Sequence, residues 1–198
     1  MYIKRGFDIV FAFILLVLLT PVLILIGILI KIDSKGPILF KQLRVGKNNR
    51  DFTIFKFRSM FSDSKEQNLL TLGDNDTRIT KTGYYLRKYK LDELPQLFNV
   101  FIGDMSFVGP RPELRYFVNS YSNNDLVVLK VKPGITGLAS LKYRHEAELL
   151  KSAKNPQEFY INSILPDKLK INKEYVENRS LWLDFKILLQ TVFRVIFQ

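Results

Sequence analysis

The chain opens with a long apolar segment, and the pattern changes to mixed polar and apolar residues after position 30. Residues 9–30 contain no charged side chain, and as a helix this run would reach about 33 Å, the thickness of a bilayer core. The run is longer than the apolar part of a signal peptide, and no small-residue cleavage pattern follows it. The pattern therefore predicts a membrane element that the protein retains.

The course of this element through the membrane has two interpretations. Pro21 falls near the middle of the run, where it removes one helical hydrogen bond and favours a kink, and the hydroxyl of Thr20 can satisfy a freed carbonyl. Lys4 and Arg5 precede the run, and further cations follow it over residues 31–50, so both ends satisfy the positive-inside rule only if both are cytoplasmic. A re-entrant hairpin and a kinked spanning helix are about equally consistent with these residues.

Beyond the apolar run, alternation and spacing predict short elements separated by turns. Alternating apolar and polar residues indicate a strand, and apolar positions three and four apart indicate helices, one of them ended by Gly103. Pro110 and Pro112 exclude a regular helix around them. The predicted elements are a strand at 52–58, helices at 84–88, 93–101, 144–153 and after Pro166, and turns at 104–113 and 131–140.

The final segment, residues 181–198, has the pattern of an amphipathic helix. Asp184 and Arg194 fall on one side, and Trp182 and Phe185 fall on the other with further large apolar residues. The helix can pack on the protein core, or its bulky apolar side can lie in the membrane interface. The pattern alone is consistent with both placements.

The charge balance points to polyanionic partners. Lysine and arginine outnumber aspartate and glutamate by 30 to 19, a formal net charge of +11. Much of this charge adjoins the apolar run, where it can bind anionic lipid head groups. No zinc-finger, RRM or KH signature is present, so membrane lipids are the expected partner and nucleic acid is not. The absence of cysteine and the single His145 argue against thiolate chemistry and against a histidine metal cluster.

Two adjacent carboxylates, Asp92 and Glu93, follow a cluster of cations. Arg87, Lys88 and Lys90 lie within five positions of them. Acids at a helix start are often structural, because they complement the helix dipole. Cations so close would also keep a carboxylate ionised and could hold a phosphate beside it. The segment is therefore a candidate site for chemistry on a phosphate group.

Two further motifs place cations where they could grip a phosphate. Arg111 lies between Pro110 and Pro112, so little backbone freedom is lost when its guanidinium binds an anion in a bidentate fork. Lys56 and Arg58 are two apart and would share one side of the predicted strand. The alternatives are a rigid turn with a solvent-exposed arginine and an ordinary solvated strand face.

Together these segments resemble the small monotopic phosphoglycosyl transferases of the bacterial sugar transferase family. The resemblance implies a mixed, mostly α fold, with an N-terminal re-entrant membrane helix-break-helix over residues 1–35 that breaks at Thr20 and Pro21. It also implies a small α/β cytosolic catalytic domain with interfacial amphipathic helices over residues 36–198. The segments that carry the resemblance are KRGFDIVFAFILLVLLTPVLILI, GPILFKQLRVG, FTIFKFRSM, LRKYKLDELPQLFNVFIGDMSFVGPRPE, VKPGITGLAS and YVENRSLWLDFKILLQTV.

The resemblance also implies an activity at the cytoplasmic face of the bacterial inner membrane. Members transfer a sugar 1-phosphate from a UDP-sugar to a polyprenyl phosphate, usually undecaprenyl phosphate, with Mg²⁺ as cofactor. Carried over by motif, Asp92 would be the nucleophile and would contact the metal, and Glu93 would assist it. Arg87 and Arg111 would neutralise phosphoryl charge. Downstream glycosyltransferases would be further partners in the assembly of a capsule, exopolysaccharide, O-antigen or glycoprotein glycan.

Lys56 and Arg58 match a basic pair that the same resemblance places near the site, as substrate-binding residues. Leu138 departs from the family pattern, which often has tryptophan there, and residues 138–172 follow a different subgroup pattern. This region is expected to shape the choice of sugar. A metal-dependent membrane phosphodiesterase and a basic, non-catalytic membrane scaffold remain the alternative functions.

Overall fold

The computed structural model describes residues 2–62 and 76–196, which form a mostly helical protein with two small sheets. Apolar residues three and four apart form the helices, and alternating residues form the hairpin. The helices are α1 (Tyr2–Asp33), α2 (Lys81–Lys88), α3 (Gln96–Ile102), α4 (Arg115–Val118), α5 (Leu138–Lys142), α6 (Glu146–Lys151), α7 (Pro156–Phe159), α8 (Leu165–Asn178) and α9 (Leu181–Ile196). The strands are β1 (Leu39–Val45), β2 (Asp51–Phe57), β3 (Ser106–Val108) and β4 (Gly134–Thr136).

The N-terminal helix α1 is one continuous helix of 32 residues. It passes through Thr20 and Pro21 without interruption, so the predicted division into two helices at this pair is not observed. The hydroxyl of Thr20 donates to the carbonyl of Leu16 at 2.7 Å, one turn earlier, rather than compensating the hydrogen bond that Pro21 removes. Prolines are tolerated in apolar helices when the neighbouring turns remain satisfied.

One stripe of α1 packs against the rest of the protein along most of the helix length. Ala12, Ile26 and Ile30 are buried, and partly buried leucines lie between them at spacings of three and four. The other sides of the helix are exposed and apolar. Among the described residues, this is the one helix long and apolar enough to cross a membrane. A soluble helix with so much exposed apolar surface would be unusual.

The two sheets are small and have different topologies. Strands β1 and β2 form an antiparallel hairpin in which Leu39 pairs with Phe57 and Val45 pairs with Asp51. Strands β3 and β4 are parallel, and β4 lies within residues 131–140. The prediction of a turn there is therefore wrong: a strand and the start of α5 occupy most of it, because the short apolar segment finds a pairing partner 28 positions earlier, with Ser106 opposite Gly134.

The helices around the acidic pair largely follow the predictions. Helix α2 begins a few residues before the predicted start, because Thr80 caps it by accepting from the amide of Gly83 at 2.9 Å. The predicted helix at 93–101 is divided into a 3₁₀ turn (Leu91–Glu93) and α3, with Pro95 between them. Gly103 ends α3 with φ of +106°, a left-handed conformation that favours glycine.

Helix α9 packs with the side that the sequence identified as polar turned inward. Asp184 and Ile187 are buried, whereas Trp182, Phe185 and Phe193 on the apolar side are about half exposed or more. Asp184 can be buried because Tyr175 donates to it at 2.7 Å and Lys4 of α1 forms an ion pair with it. One side of α9 thus packs on the core, whereas the bulky apolar side is largely exposed, and its placement in the membrane interface stays a prediction.

Candidate active site

The acidic pair lies at a sharp turn between α2 and α3. Lys90 adopts a left-handed conformation with φ of 57°, which reverses the chain after α2, and the 3₁₀ turn Leu91–Glu93 follows at once. Leu91 and Leu94 pack on an apolar cluster that includes residues of α1 and α2. The backbone of the acidic pair is thus fixed on both sides by apolar packing, and Asp92 itself is buried.

Glu93 is held by two cations from distant parts of the chain. Lys56 Nζ donates to Glu93 Oε1 at 2.7 Å, and both terminal nitrogens of Arg111 donate to the same carboxylate. Burial would raise the pKa of Glu93, but the charges of Arg111 and Lys56 and their hydrogen bonds outweigh it and hold this pKa well below its usual range. Glu93 is therefore a fixed anion that positions two cations.

The pKa of Asp92 is shifted in the opposite direction from that of Glu93. Its Oδ1 is buried and has no hydrogen-bond partner among the described residues. Burial raises the pKa of Asp92, as does the charge of Glu93, and the nearby charges of Lys56, Arg87 and Lys90 offset this only in part. The expectation that nearby cations keep this carboxylate ionised stays a prediction, and desolvation acts against it. An unpartnered carboxylate oxygen is available to a ligand or a reacting atom.

Arg111 reaches Glu93 because two loops meet at glycines. Gly109 donates to the carbonyl of Thr136 at 2.9 Å, and Gly134 donates to the carbonyl of Pro110 at 2.9 Å. A Cβ atom on Gly134 would lie 2.1 Å from the nitrogen of Gly109, so a side chain there would force the loops apart. The turn predicted around Arg111 is thus a continuation of the β3–β4 pairing, and this pairing aims the arginine at the acidic pair.

A cavity of about 490 Å³ opens beside these residues. Its size falls in the range of small-molecule sites. Five of the predicted site residues line it together: Lys56, Arg87, Asp92, Glu93 and Arg111. The other charged residues in the lining are Arg44, Lys90, Glu113, Arg144, Glu146, Lys168 and Arg194.

Arg58 is not part of this cavity lining, and its side chain leads elsewhere than that of Lys56. Its backbone amide continues the hairpin beyond the end of β2 by donating to the carbonyl of Ile38 at 2.9 Å. Its guanidinium is buried and donates to the carbonyls of Ser34, Lys35 and Ile30 at the end of α1. Arg58 therefore satisfies the last carbonyls of the apolar helix, a structural role that suits a cation at a helix C-terminus.

Residues 138–172, the region predicted to shape the choice of sugar, supply a further part of the lining. Ser140 of α5, Arg144 between α5 and α6, Tyr160 before α8 and Lys168 of α8 all belong to it. They lie 48 or more positions after Asp92, in segments without a motif of their own. The departure from the family pattern indicated the region but not these single residues.

The capacity of the site for a metal rests on Asp92. Among the described residues, no group of three or more aspartate, glutamate, histidine or cysteine side chains could hold a metal ion by itself. Glu93 is already engaged by cations, whereas Asp92 Oδ1 is unpartnered. Mg²⁺ is commonly bound through one or two carboxylates together with substrate phosphates and water. The residues present therefore fit a magnesium ion that arrives with a phosphorylated substrate.

Comparison with known proteins finds one matching family model and several relatives with similar descriptions. The family model described as bacterial sugar transferase matches residues 1–198. A UDP-N-acetylgalactosamine-undecaprenyl-phosphate N-acetylgalactosaminephosphotransferase of Aeromonas hydrophila is 40% identical over 96% of this chain and 43% of its own length. A UDP-glucose:undecaprenyl-phosphate glucose-1-phosphate transferase of Klebsiella pneumoniae is 38% identical over 98% and 40%. One with the same description from Caulobacter vibrioides is 35% identical over 96% and 68%. The chain spans about two fifths of the length of the first two relatives.

Proposed function

Because this chain belongs to the bacterial sugar transferase family, we propose that it transfers a sugar 1-phosphate from a UDP-sugar to undecaprenyl phosphate. The names of the relatives support both substrates. The observation that carries the proposal is the unpartnered, buried Oδ1 of Asp92 in a cavity rich in cations. A carboxylate oxygen without a hydrogen bond keeps a lone pair for a phosphorus atom, and the cations compensate the charge of the phosphoryl oxygens.

The proposed reaction has two steps at one phosphorus atom. In the first, an oxygen of ionised Asp92 forms a bond to the β-phosphorus of the UDP-sugar, and UMP leaves with the electron pair of the broken phosphorus–oxygen bond. In the second, an oxygen of undecaprenyl phosphate bonds to the same phosphorus. The bond to Asp92 breaks, and the carboxylate is regenerated together with the lipid-linked sugar diphosphate. Division into two displacements lets one site serve a soluble and a lipid substrate.

Glu93, Lys56 and Arg111 act as a unit in this proposal. Glu93 holds both cations beside Asp92, and a fixed position lowers the cost of reorganisation when charge develops on the phosphoryl group. Arg87 and Lys90 also line the cavity, and their charges act on Asp92. A magnesium ion bound through Asp92 and the substrate phosphates would neutralise further charge on the diphosphate.

The contacts of α1 favour a re-entrant course over a spanning one. Near its N-terminus, Lys4 donates to the carbonyl of Val108 at 3.0 Å. At its C-terminus, Asp33 accepts from the amide of Thr82 at 2.9 Å, and Arg58 bonds the last carbonyls. A spanning helix would place its two ends on opposite sides of a layer about 30 Å thick. Here both ends contact the same folded body, which supports a course with both ends on one side of the membrane, the cytoplasmic side in this proposal.

Exposed apolar residues near α1 extend the surface that would meet lipid. Phe98, Phe101 and Ile102 of α3 are exposed, as are Trp182 and Phe193 of α9. A protein seated in one leaflet with these helices at head-group level would place the acidic pair at the height of a lipid phosphate.

The test is a transfer assay in detergent with undecaprenyl phosphate, Mg²⁺ and a panel of UDP-sugars. We expect release of UMP together with a lipid-linked sugar diphosphate for at least one donor, and loss of both products in Asp92→Asn. Asp51→Asn, an exposed acid that pairs with Arg115 outside the cavity, is the matched control and should keep the activity. Release of free sugar phosphate without lipid product would instead indicate a phosphodiesterase, and an unchanged Asp92→Asn variant would reject the role of this residue.

A further inference from the structure

Two further polar atoms in the cavity are buried without a partner. Ser140 Oγ on α5 and one terminal nitrogen of Arg144, just after α5, have no hydrogen-bond partner among the described residues. Both residues line the same cavity as Asp92. A buried donor left unsatisfied is costly, and natural proteins rarely leave one without a reason. These atoms therefore mark a part of the cavity that a ligand completes.

The cavity lining contains two further carboxylates, those of Glu113 and Glu146. Both lie close enough to Arg111 to raise its pKa. Tyr160 donates to Glu113 at 2.7 Å, and Lys168 forms an ion pair with Glu146. Both acids are thus already engaged inside the protein.

Two more arginines line the cavity but are already occupied. Arg44 donates to Gln42 at 2.7 Å and to the carbonyl of Pro112 at 3.2 Å, and Arg194 donates to the carbonyl of Leu141 at 2.5 Å. Their hydrogen-bonding capacity is directed in part toward the protein. Arg144 differs from both, because one of its terminal nitrogens is buried without a partner among the described residues.

The unpartnered groups of Ser140 and Arg144 suit a polyhydroxylated group. The serine hydroxyl can donate or accept, and sugar hydroxyls can accept from Arg144 and donate to a neighbouring acceptor, which an ionised phosphate cannot do. The cations that act on Asp92 or bind Glu93, namely Lys56, Lys90, Arg87 and Arg111, suit the diphosphate. Because the attacked phosphorus carries the sugar on one side and UMP on the other, the sugar must lie next to the acidic pair.

We propose that Ser140 and Arg144 bind the sugar ring of the donor and set which sugar is transferred. This inference rests on the proposed transferase function and adds to it the part of the site that discriminates between donors. Arg144 donates to a ring hydroxyl or an acyl oxygen, and the Ser140 hydroxyl donates or accepts according to the configuration of the neighbouring hydroxyl. A site that hydrogen-bonds a particular hydroxyl rejects sugars that lack it at that position.

The experiment compares wild type, Ser140→Ala and Arg144→Met with UDP-glucose, UDP-galactose and their two N-acetylamino counterparts. Specificity is measured as the ratio of kcat/KM between donors, and the nucleotide half is monitored by the inhibition constant of UMP. His145→Ala is the matched control, since its side chain is 69% exposed and next to Arg144. Arg144→Lys, which keeps the charge but not the planar fork, replaces Arg144→Met if that variant does not fold.

We expect each variant to change the ratio between the best donor and its competitors by about tenfold, the effect of one lost hydrogen bond in a buried site. The inhibition constant of UMP should stay within about twofold, and His145→Ala should match wild type. An equal loss for all donors together with weaker UMP binding would assign the residues to the nucleotide and overturn the inference. Unchanged ratios would also overturn it. A wild-type protein that transfers no sugar would instead refute the function on which it rests.

Discussion

Lys56 Nζ lies 2.7 Å from Glu93 Oε1, while Oδ1 of the adjacent Asp92 is buried with no hydrogen-bond partner in the described part of the chain. The pKa values of these two neighbouring carboxylates are thus shifted in opposite directions. Arg111 completes the hold on Glu93. This division gives each acid a separate task, one that fixes cations and one that can react.

This division predicts that neutralising Glu93 and neutralising Asp92 change the free energy of unfolding in opposite directions. Glu93→Gln leaves Lys56 and Arg111 without their carboxylate and should lower the free energy of unfolding by about 2 kcal/mol, less than for a fully buried pair because Arg111 is 39% exposed. Asp92→Asn removes a buried charge without a hydrogen bond and should raise it by up to about 1 kcal/mol. Denaturant unfolding at neutral pH measures both. Equal destabilisation by the two changes would contradict the assignment.

The same division predicts the acid limb of the pH profile. The pKa of Asp92 is raised above its ordinary value of 3.8 by burial, so kcat/KM should fall as the pH drops through a midpoint above that value. Glu93, whose pKa is lowered by Arg111 and Lys56 against the effect of burial, stays ionised in this range. Stability should respond in the opposite direction, because the folded state binds the Asp92 proton more tightly than the unfolded chain does. A rate that is flat down to pH 4 would be incompatible with this account.

Arg58 and Lys56 are predicted to differ in what their loss changes. Arg58→Met removes the hydrogen bonds to the last carbonyls of α1 and should lower the free energy of unfolding by about 2–3 kcal/mol, with little change in the donor KM of the folded protein. Lys56→Met should lower kcat by about a hundredfold, because it removes a cation beside the reacting phosphate. Parallel unfolding and steady-state measurements separate the two effects. A higher donor KM with normal stability in Arg58→Met would instead show that this residue contributes to donor binding.

The course of α1 is testable with single cysteines, since the chain has none of its own. Ile3→Cys and Ile32→Cys place thiols at the two ends of the helix, at positions that are 75% and 78% exposed. Both should react with a membrane-impermeant maleimide in inside-out vesicles and neither in right-side-out vesicles. Leu18→Cys, also exposed from the protein, should be protected by lipid in both. Labelling of the two ends from opposite sides would establish a spanning helix.

The sequence predicted what local patterns determine. The apolar run, the hairpin strand near 52–58 and the acidic turn all depend on neighbours within a few positions, and the structure has each of them. The orientation of α9 could not be predicted in the same way, because its pattern is consistent with two placements. The burial of Asp184 depends on a hydrogen bond from Tyr175 and on an ion pair with Lys4, which lies 180 positions earlier in the chain.

In the candidate site, too, the residues in short local motifs could be predicted, and those that depend on distant parts of the chain could not. Asp92, Glu93 and Arg111 belong to short motifs, and the structure brings them together. The place of Arg58 could not be predicted from the strand pattern, because its guanidinium bonds the end of α1, which is distant in the sequence. The single cavity residues around Arg144 could not be named, because they belong to segments without a motif and reach the cavity through tertiary packing.

The central claim is that a phosphosugar is carried on Asp92 between two displacements, and intact-protein mass measurement tests it most directly. The protein is incubated with its UDP-sugar and Mg²⁺ but without lipid acceptor. The account predicts an increase equal to one sugar phosphate, located on Asp92 by peptide fragmentation, lost when undecaprenyl phosphate is added and absent in Asp92→Asn. Full transfer activity with unmodified protein at every time from milliseconds to minutes would contradict it.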